Sequence, residues 1–507
     1  MVVTSCRCSG KIEETHSGFF ASKGIVTNHH QHPKHACLAP VIVLLCLSAS
    51  VLWAADAPAR LSLAEAVTTA LKSNANLNRA EKDYQTSLSR LKIAGYTTTF
   101  GAGARGSVEK APDESSATTS VFGTAGYEGL GGTQADVEFT PFTSGNELGS
   151  FSVSLRQPLV QGRGRLSRKS DEFLSALTSS NVESLQLYLF RQSLTTEVAD
   201  AYCRAILEQK RVLIQQGSVD IARQASDAAE KKVVAGLIPG LEASRAKLSL
   251  ARSEDDLNEQ RRAARAAVDR LMLAIGSGVG QTPQLTDTEP EAELKTPKLD
   301  DLIQGVETPD VSKAVETALA NRAELRVATE QIGDLSRGLD IAQDTLRPGL
   351  NALLTYDYIS ANGGLSSGSL FSGGNLVAGL EYTAPLDKRR DRETRDIASR
   401  NLSVARTLRD LQIEEIREEV RNAHRALEAD RASLKISLDN QAEALHNLDL
   451  AQKMVDEGLR DNREILDAKD SLTRLQSSLI AAKINLYLDS LRLKRAMGED
   501  LTKVVSQ

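Results

Sequence analysis

Ala66-Val67-Thr68-Thr69-Ala70-Leu71, running on to Leu77, returns as Ala314-Val315-Glu316-Thr317-Ala318-Leu319, running on to Leu325. Two further stretches return in the same order. Phe151-x-Val153-x-Leu155-x-Gln157-Pro158-Leu159 is matched by Ala378-x-Leu380-x-Tyr382-x-Ala384-Pro385-Leu386. Gly236-Leu237, Ala246-Lys247, Arg270-Leu271 and Ala274-x-Gly276 are matched by Gly458-Leu459, Ala468-Lys469, Arg492-Leu493 and Ala496-x-Gly498. Each half therefore reads as helix, β segment, long helix, shorter helix, and this duplication decides the architecture.

Helix breakers draw the map of each half. No proline lies between Pro158 and Pro239 or after Pro385, and glycine is nearly absent from the same stretches. These residues are the ones that interrupt helices. One very long helix is expected over roughly 165–233 and another over roughly 391–456, each on the order of 100 Å long. Along the second, Val404, Leu408, Leu411, Ile416, Val420, Ala423, Leu427, Leu434, Leu438, Leu445 and Leu448 form a coiled-coil seam. The flanking helices, 60–95 and 240–276 in one half and 311–345 and 460–497 in the other, are each about half as long. Two such helices laid end to end against the long antiparallel one give every helix a partner.

Residues 96–158 and 347–386 differ in kind. They hold 17 of the 34 glycines and 11 of the 17 aromatics that follow residue 55. Phe100-x-Ala102-x-Ala104, Phe151-x-Val153-x-Leu155 and Leu380-x-Tyr382 alternate with period two, so strands with two chemically different faces are expected. Aromatics, alternation and Ser/Gly-rich tips (Gly123 to Gly132; Ala361 to Gly374) point to a membrane β-barrel; a soluble sheet capping a helical rod is the other reading. Four main strands per chain are too few to close a barrel, and lipid tolerates no open sheet edge. Several copies must pool their strands.

Composition removes other classes. Leu38–Ala55 is an apolar run of signal-segment length, with small residues at its end, and export with removal of this segment is expected. The 33 residues ahead of Lys34 are more than a signal n-region usually carries. His29, His30, His32, His35 and Cys37 sit before that run and would leave with it; beyond Ala55 only His424, His446 and Cys203 remain. A metal site or Cys/His nucleophile needs more converging groups, so no metal and no cofactor is expected. No nucleotide-binding or nucleophile motif stands out, and an enzyme is not expected. Four Lys/Arg and two Asp/Glu lie within 1–55, leaving 57 basic against 65 acidic residues, a net charge of −8, which gives nucleic-acid binding no support.

The chain resembles the TolC-type outer-membrane efflux family. The resemblance rests on Leu61-Ser62-Leu63-Ala64-Glu65-Ala66, Gln157-Pro158-Leu159, Gly236-Leu237-Ile238, and Gly458-Leu459 with Ile465-Leu466-Asp467-Ala468. It covers about 60–499, and the order and duplication of these motifs carry more than any one of them. It implies a homotrimer with a 12-stranded barrel in the outer membrane and an α-helical periplasmic tunnel. It also implies a periplasmic adaptor and an inner-membrane pump as partners. By the same resemblance, Gly236, Leu237, Ile238, Gly458 and Leu459 are adaptor-contact tips. Glu242, Arg460, Glu464 and Asp467 are periplasmic gate candidates. Glu464 departs from the aspartate expected there by one methylene; the other reading of these charges is an ordinary solvated tip.

The expected organisation is an N-terminal extension and signal over 1–55, a first repeat over 56–276 and a Pro-containing acidic linker over 277–310. A second repeat over 311–499 and a short tail over 500–507 complete it. The fold is mainly α with a membrane β segment. The expected function is that of a passive outer-membrane channel in a tripartite efflux or type I secretion system. A non-conducting adhesive stalk on a barrel anchor is the alternative.

Overall fold

The computed structural model describes residues 60–110, 115–144, 149–277, 284–285, 309–359, 374–457, 459–460 and 462–506. All belong to the second of two units, Pro58–Gln507. The export segment, the His-rich stretch before it, most of the linker and Gly458 lie outside the described residues.

In the first half, the strand β1 (Arg60–Leu61) leads into helices α1 (Leu63–Ser73) and α2 (Ala75–Gly95). Strands β2 (Thr98–Lys110), β3 (Ser115–Glu128), β4 (Gln134–Ser144) and β5 (Ser150–Pro158) follow, then helices α3 (Arg168–Val234) and α4 (Gly240–Ile275). Short strand β6 (Gln284–Leu285) pairs in parallel with β1. The second half holds α5 (Val311–Asn321), α6 (Ala323–Asp344), β7 (Gly349–Ile359), β8 (Asn375–Thr383), α7 (Arg389–Asp456) and α8 (Asn462–Ala496), with α9 (Leu501–Ser506) at the end.

The two long helices reach 67 and 68 residues. Ser167 starts α3 by accepting the Ser170 N–H, and nothing in the interior of either helix removes a backbone donor. The packing is the one the lengths demand. Helices α2 and α4 lie on α3, and α6 and α8 lie on α7. Helix α8 also packs on α3 and joins the halves.

The expected single helices over 60–95 and 311–345 are each two. Asn74 leaves the helical region with ψ 121°, and its Oδ1 accepts from the N–H groups of Asn76 (2.9 Å) and Leu77 (3.1 Å). It thereby ends α1 and caps α2. Arg322, also at ψ 121°, makes the same break between α5 and α6. No proline announces either joint.

Two cores lie beside these joints. Val67, Ala70, Leu77, Val198, Tyr202, Leu271 and Ile275 form the first, closed from the other half by Ile484, Tyr487 and Leu491. Ala314, Ala318, Ile416, Val420, Leu427, Leu486 and Leu493 form the second. The seam expected along α7 is thus buried at Ile416, Val420 and Leu427. It is open at Val404, Leu408, Leu411, Leu438 and Leu445.

Apart from the β1–β6 pair, the described strands form one antiparallel sheet in the order β2-β3-β4-β5-β7-β8. Six strands stand in this sheet where four main ones were expected. The first β segment carries one hairpin more than the second. Its greater length holds two hairpins, and the stretch Gly123 to Gly132, expected as a Ser/Gly-rich tip, is the end of β3 as far as Glu128 and then the turn between them. Gly129 N–H donates to Thr133 O (2.8 Å) and Gly132 N–H to Gly129 O (2.9 Å).

Candidate functional site: membrane wall and helix tips

The register divides the sheet into two unlike faces. One carries Phe100, Ala102 and Ala104 of β2, paired with Ala125, Gly123 and Val121 of β3. Val137 and Phe139 of β4 continue it onto Val153 and Phe151 of β5, and these onto Tyr356 and Tyr358 of β7. Leu376, Ala378, Leu380 and Tyr382 complete it on β8. The rings of Phe139 and Phe151 meet edge to face at 6.4 Å, and Phe151 and Tyr356 at 6.5 Å. Much of this face is open, with Phe100 at 83% and Leu380 at 72% exposure. A contiguous apolar sheet face of this extent is what a bilayer core requires.

The opposite face is polar. It carries Arg105, Asp136, Glu138, Ser152, Arg156, Asp357 and Glu381. Arg156 pairs with Glu381, which also accepts from Asn351 Nδ2 at 3.0 Å. The Arg105 guanidinium lies over the Phe122 ring, 5.5 Å from its centre. These charges did not stand out in the sequence individually. The signal that finds them is the alternation: the positions between the apolar ones counted from Phe100, Phe151 or Leu380 form the wet face.

Where the sheet meets the helices, the chain is locked. Ser167 Oγ donates to Leu130 O (2.7 Å), and Gly164 N–H donates to Gly131 O (3.0 Å). Gly162 N–H donates to the buried Asp344 carboxylate at 2.7 Å. Arg168 bridges to Glu128 at 2.7 Å. The β3–β4 turn therefore sits at the start of α3, at the helix end of the sheet. Tyr96, Tyr127 and Tyr382 are exposed near that boundary, as aromatic residues at a membrane interface are.

At the far end of the long helices the two tips share one backbone design. Leu237 N–H donates to Lys232 O (2.8 Å), and Leu459 N–H donates to Met454 O (2.9 Å). Gly236, at φ +71°, turns the first. Val234 and Leu237 are 90% and 73% exposed, Leu241 and Leu459 are exposed, and Ile238 is half-buried.

The gate candidates all lie at these tips, exposed and paired along the chain. Arg460 Nη1 donates to Glu464 Oε1 at 3.0 Å, Arg463 stands 3.8 Å from Asp467, and Arg245 bonds Glu242 at 2.7 Å. Within one chain and among the described residues, Arg460 reaches the first turn of α8 and no neighbouring helix. The structure brings Arg460 and Glu464 together and leaves Glu242 in a separate pair on the other tip. Among the described residues no His/Cys/Asp/Glu group fit for a metal occurs, and no helix is long and apolar enough to cross a membrane.

The family model described as outer membrane efflux protein matches residues 120–277 and 314–499, and the chain belongs to that family. Similar solved structures include CusC, at 16% identity and TM-score 0.65, covering 86% of this chain and 92% of that one. VceC of Vibrio cholerae has 16% identity and TM-score 0.64, covering 86% and 96%. MtrE of Neisseria gonorrhoeae, solved in an open state, has 14% identity and TM-score 0.63, covering 87% and 89%. At these identities the likeness is one of fold. No curated protein matches the chain. Membership makes it an efflux channel protein of the outer membrane, in a family of channels rather than of enzymes.

Proposed function

We propose that the protein is the outer-membrane component of a tripartite efflux or type I secretion system, a homotrimer that conducts cargo passively from a periplasmic adaptor and inner-membrane pump to the exterior. The observation that carries this reading is the sheet with one apolar and one charged face. A lipid-facing wall needs the first, and a water-filled lumen gives the second its solvent. The trimer is supported by Ile397, Val404, Leu408 and Leu411. These four lie along α7 at steps of seven, four and three residues and are exposed in the single chain. That spacing is a coiled-coil seam awaiting a second copy. The exposed apolar tips at Val234, Leu237 and Leu459 are surfaces for the adaptor.

In this reading Glu242, Arg460, Glu464 and Asp467 ring the periplasmic end. Threefold symmetry would gather three copies of each acid and attract cations. The Arg460–Glu464 pair would hold the second tip. The experiment is planar-bilayer conductance of the detergent-extracted protein, with its mass determined alongside. A trimer giving small, cation-selective currents blocked by divalent cations supports the reading; a trimer that never conducts, or a soluble periplasmic monomer, overturns it. Arg460→Ala is expected to raise single-channel conductance, and unchanged conductance would leave Arg460 a surface charge.

A further inference from the structure

We infer that the extra hairpin β2–β3 is part of the membrane wall, and that three copies of this chain close an 18-stranded barrel in which β2 of one copy pairs with β8 of the next. The inference rests on the trimeric-channel reading and specifies its exit.

Four observations place the hairpin in the wall. Its pairing to β4 runs from Glu128↔Gln134 through Gly123↔Phe139 and resumes at Val121↔Phe142 beyond a bulge. Its faces keep the phase of the rest of the sheet. Phe100, Val121 and Tyr127 fall on the apolar side with Phe139, Leu155 and Leu380, and Arg105 falls on the charged side with Glu138 and Arg156. A plug folded into a lumen would not present Phe100 and Val121, both exposed, in line with the lipid face. Its strands, 13 and 14 residues long, are long enough to span. Its base turn is fixed to the start of α3 by the Gly164 and Ser167 bonds, so it rises from the same level as the other strands.

The edges then choose the partner. With β3 bonded along β4, the edge of β4 is occupied, and the open edges are β2 and β8. Six antiparallel strands leave these two running in opposite directions, so copies join by an antiparallel pair like every other pair in the sheet. Neither strand contains proline. An unblunted edge cannot stay open in lipid. Barrel diameter grows about linearly with strand number, so this barrel is roughly half again as wide as one of twelve strands. Each copy adds Arg105 and Phe122 to the lumen surface. The exit is then a wide mouth, and selection by size is left to the helix tips.

Cysteine pairs in outer membranes test the edge directly, in a Cys203→Ser background. Ala102→Cys combined with Ala378→Cys or Leu380→Cys is expected to give inter-chain disulfides and a ladder up to the trimer. Val137→Cys with the same β8 positions is expected to give none. Cross-linking through Val137 would overturn the inference, because β4 would then be the edge strand and the hairpin outside the wall. Absence of both ladders in a membrane-inserted trimer would overturn it too. Electron microscopy of the extracted trimer counts the strands independently: eighteen supports the inference and twelve overturns it. A protein that is neither trimeric nor inserted would instead bring down the channel reading itself.

Discussion

The same joint is built twice in this chain with different chemistry. In the first half Asn74 breaks the helix, caps α2 with its Oδ1, and donates through Nδ2 to Ala274 O at 3.1 Å. In the second half Arg322 breaks the helix, offers no acceptor to α6, and reaches Arg495 O at 3.5 Å and the Glu419 carboxylate instead. Both side chains are buried, and both lean on the carbonyl end of the neighbouring short helix. The backbone around them is the same: Gly276 at φ +83° and Gly498 at φ +77° end α4 and α8 against the joints. Duplication fixed the backbone geometry, while the side chains that satisfy it diverged. A carbonyl at a helix end accepts from an amide or a guanidinium alike.

The glycines should break this comparison most severely. A Cβ at Gly276 would stand 2.9 Å from Ser73 O and Asn74 Cα; at Gly498 it would stand 3.1 Å from Asn321. Gly276→Ala is expected to cost about 2–4 kcal/mol from the left-handed backbone and the overlap together. Gly498→Ala, with its looser contact, should cost about 1–2 kcal/mol. Thermal unfolding followed by circular dichroism ranks the two. An equal loss would mean that the backbone conformation alone matters.

Next in size are the joint residues. Asn74→Ala removes a cap and strands the Ala274 carbonyl, at about 1–2 kcal/mol. Arg322→Ala should cost about 1 kcal/mol, because Glu419 is half exposed and can turn to water. Exchanging the side chains sharpens the point. Arg322→Asn should be milder than Arg322→Ala, since asparagine can cap α6, whereas Asn74→Arg should be no better than Asn74→Ala. Denaturant midpoints of the four variants test the order, and a tolerated Asn74→Arg would refute the capping role.

The smallest effect distinguishes the long helices. On α3, Glu208 bonds Arg211 at 2.8 Å and accepts from Gln260. On α7, burial and the facing Asp489 carboxylate raise the pKa of Asp430 above the ordinary carboxylate value, against the pull of Arg492. The folded protein therefore holds that proton to higher pH than the unfolded chain does. Its contribution is most favourable below the usual carboxylate pKa and is lost as pH rises through the folded value. Asp430→Asn should raise the unfolding midpoint slightly at pH 7 and leave it unchanged near pH 3. A gain at both would assign the effect to packing.

Much of this was legible in the chain. The repeated motifs gave the duplication, the absence of Pro and Gly gave the two long helices, and length alone gave the pairing of short helices on long ones. The joints at Asn74 and Arg322 were not legible. A polar residue within a helical pattern reads the same whether it faces water or ends a turn, and only the neighbouring helix end supplies its partner. The strand count was half legible. Alternation marked Phe100, Phe151 and Leu380, yet a Gly-rich stretch such as Gly129–Gly132 does not say whether it is an outer tip or a base turn.

The sequence by itself determined the periods, 3.6 in the helices and two in the sheet, because these are properties of consecutive residues. Tertiary structure alone decided which residues share a face across strands. It placed Arg105 on the same polar face as Arg156 and Glu381 and brought the β3–β4 turn down onto α3. Register and turn placement are set by hydrogen bonds between segments far apart in the chain, and no local pattern carries that information.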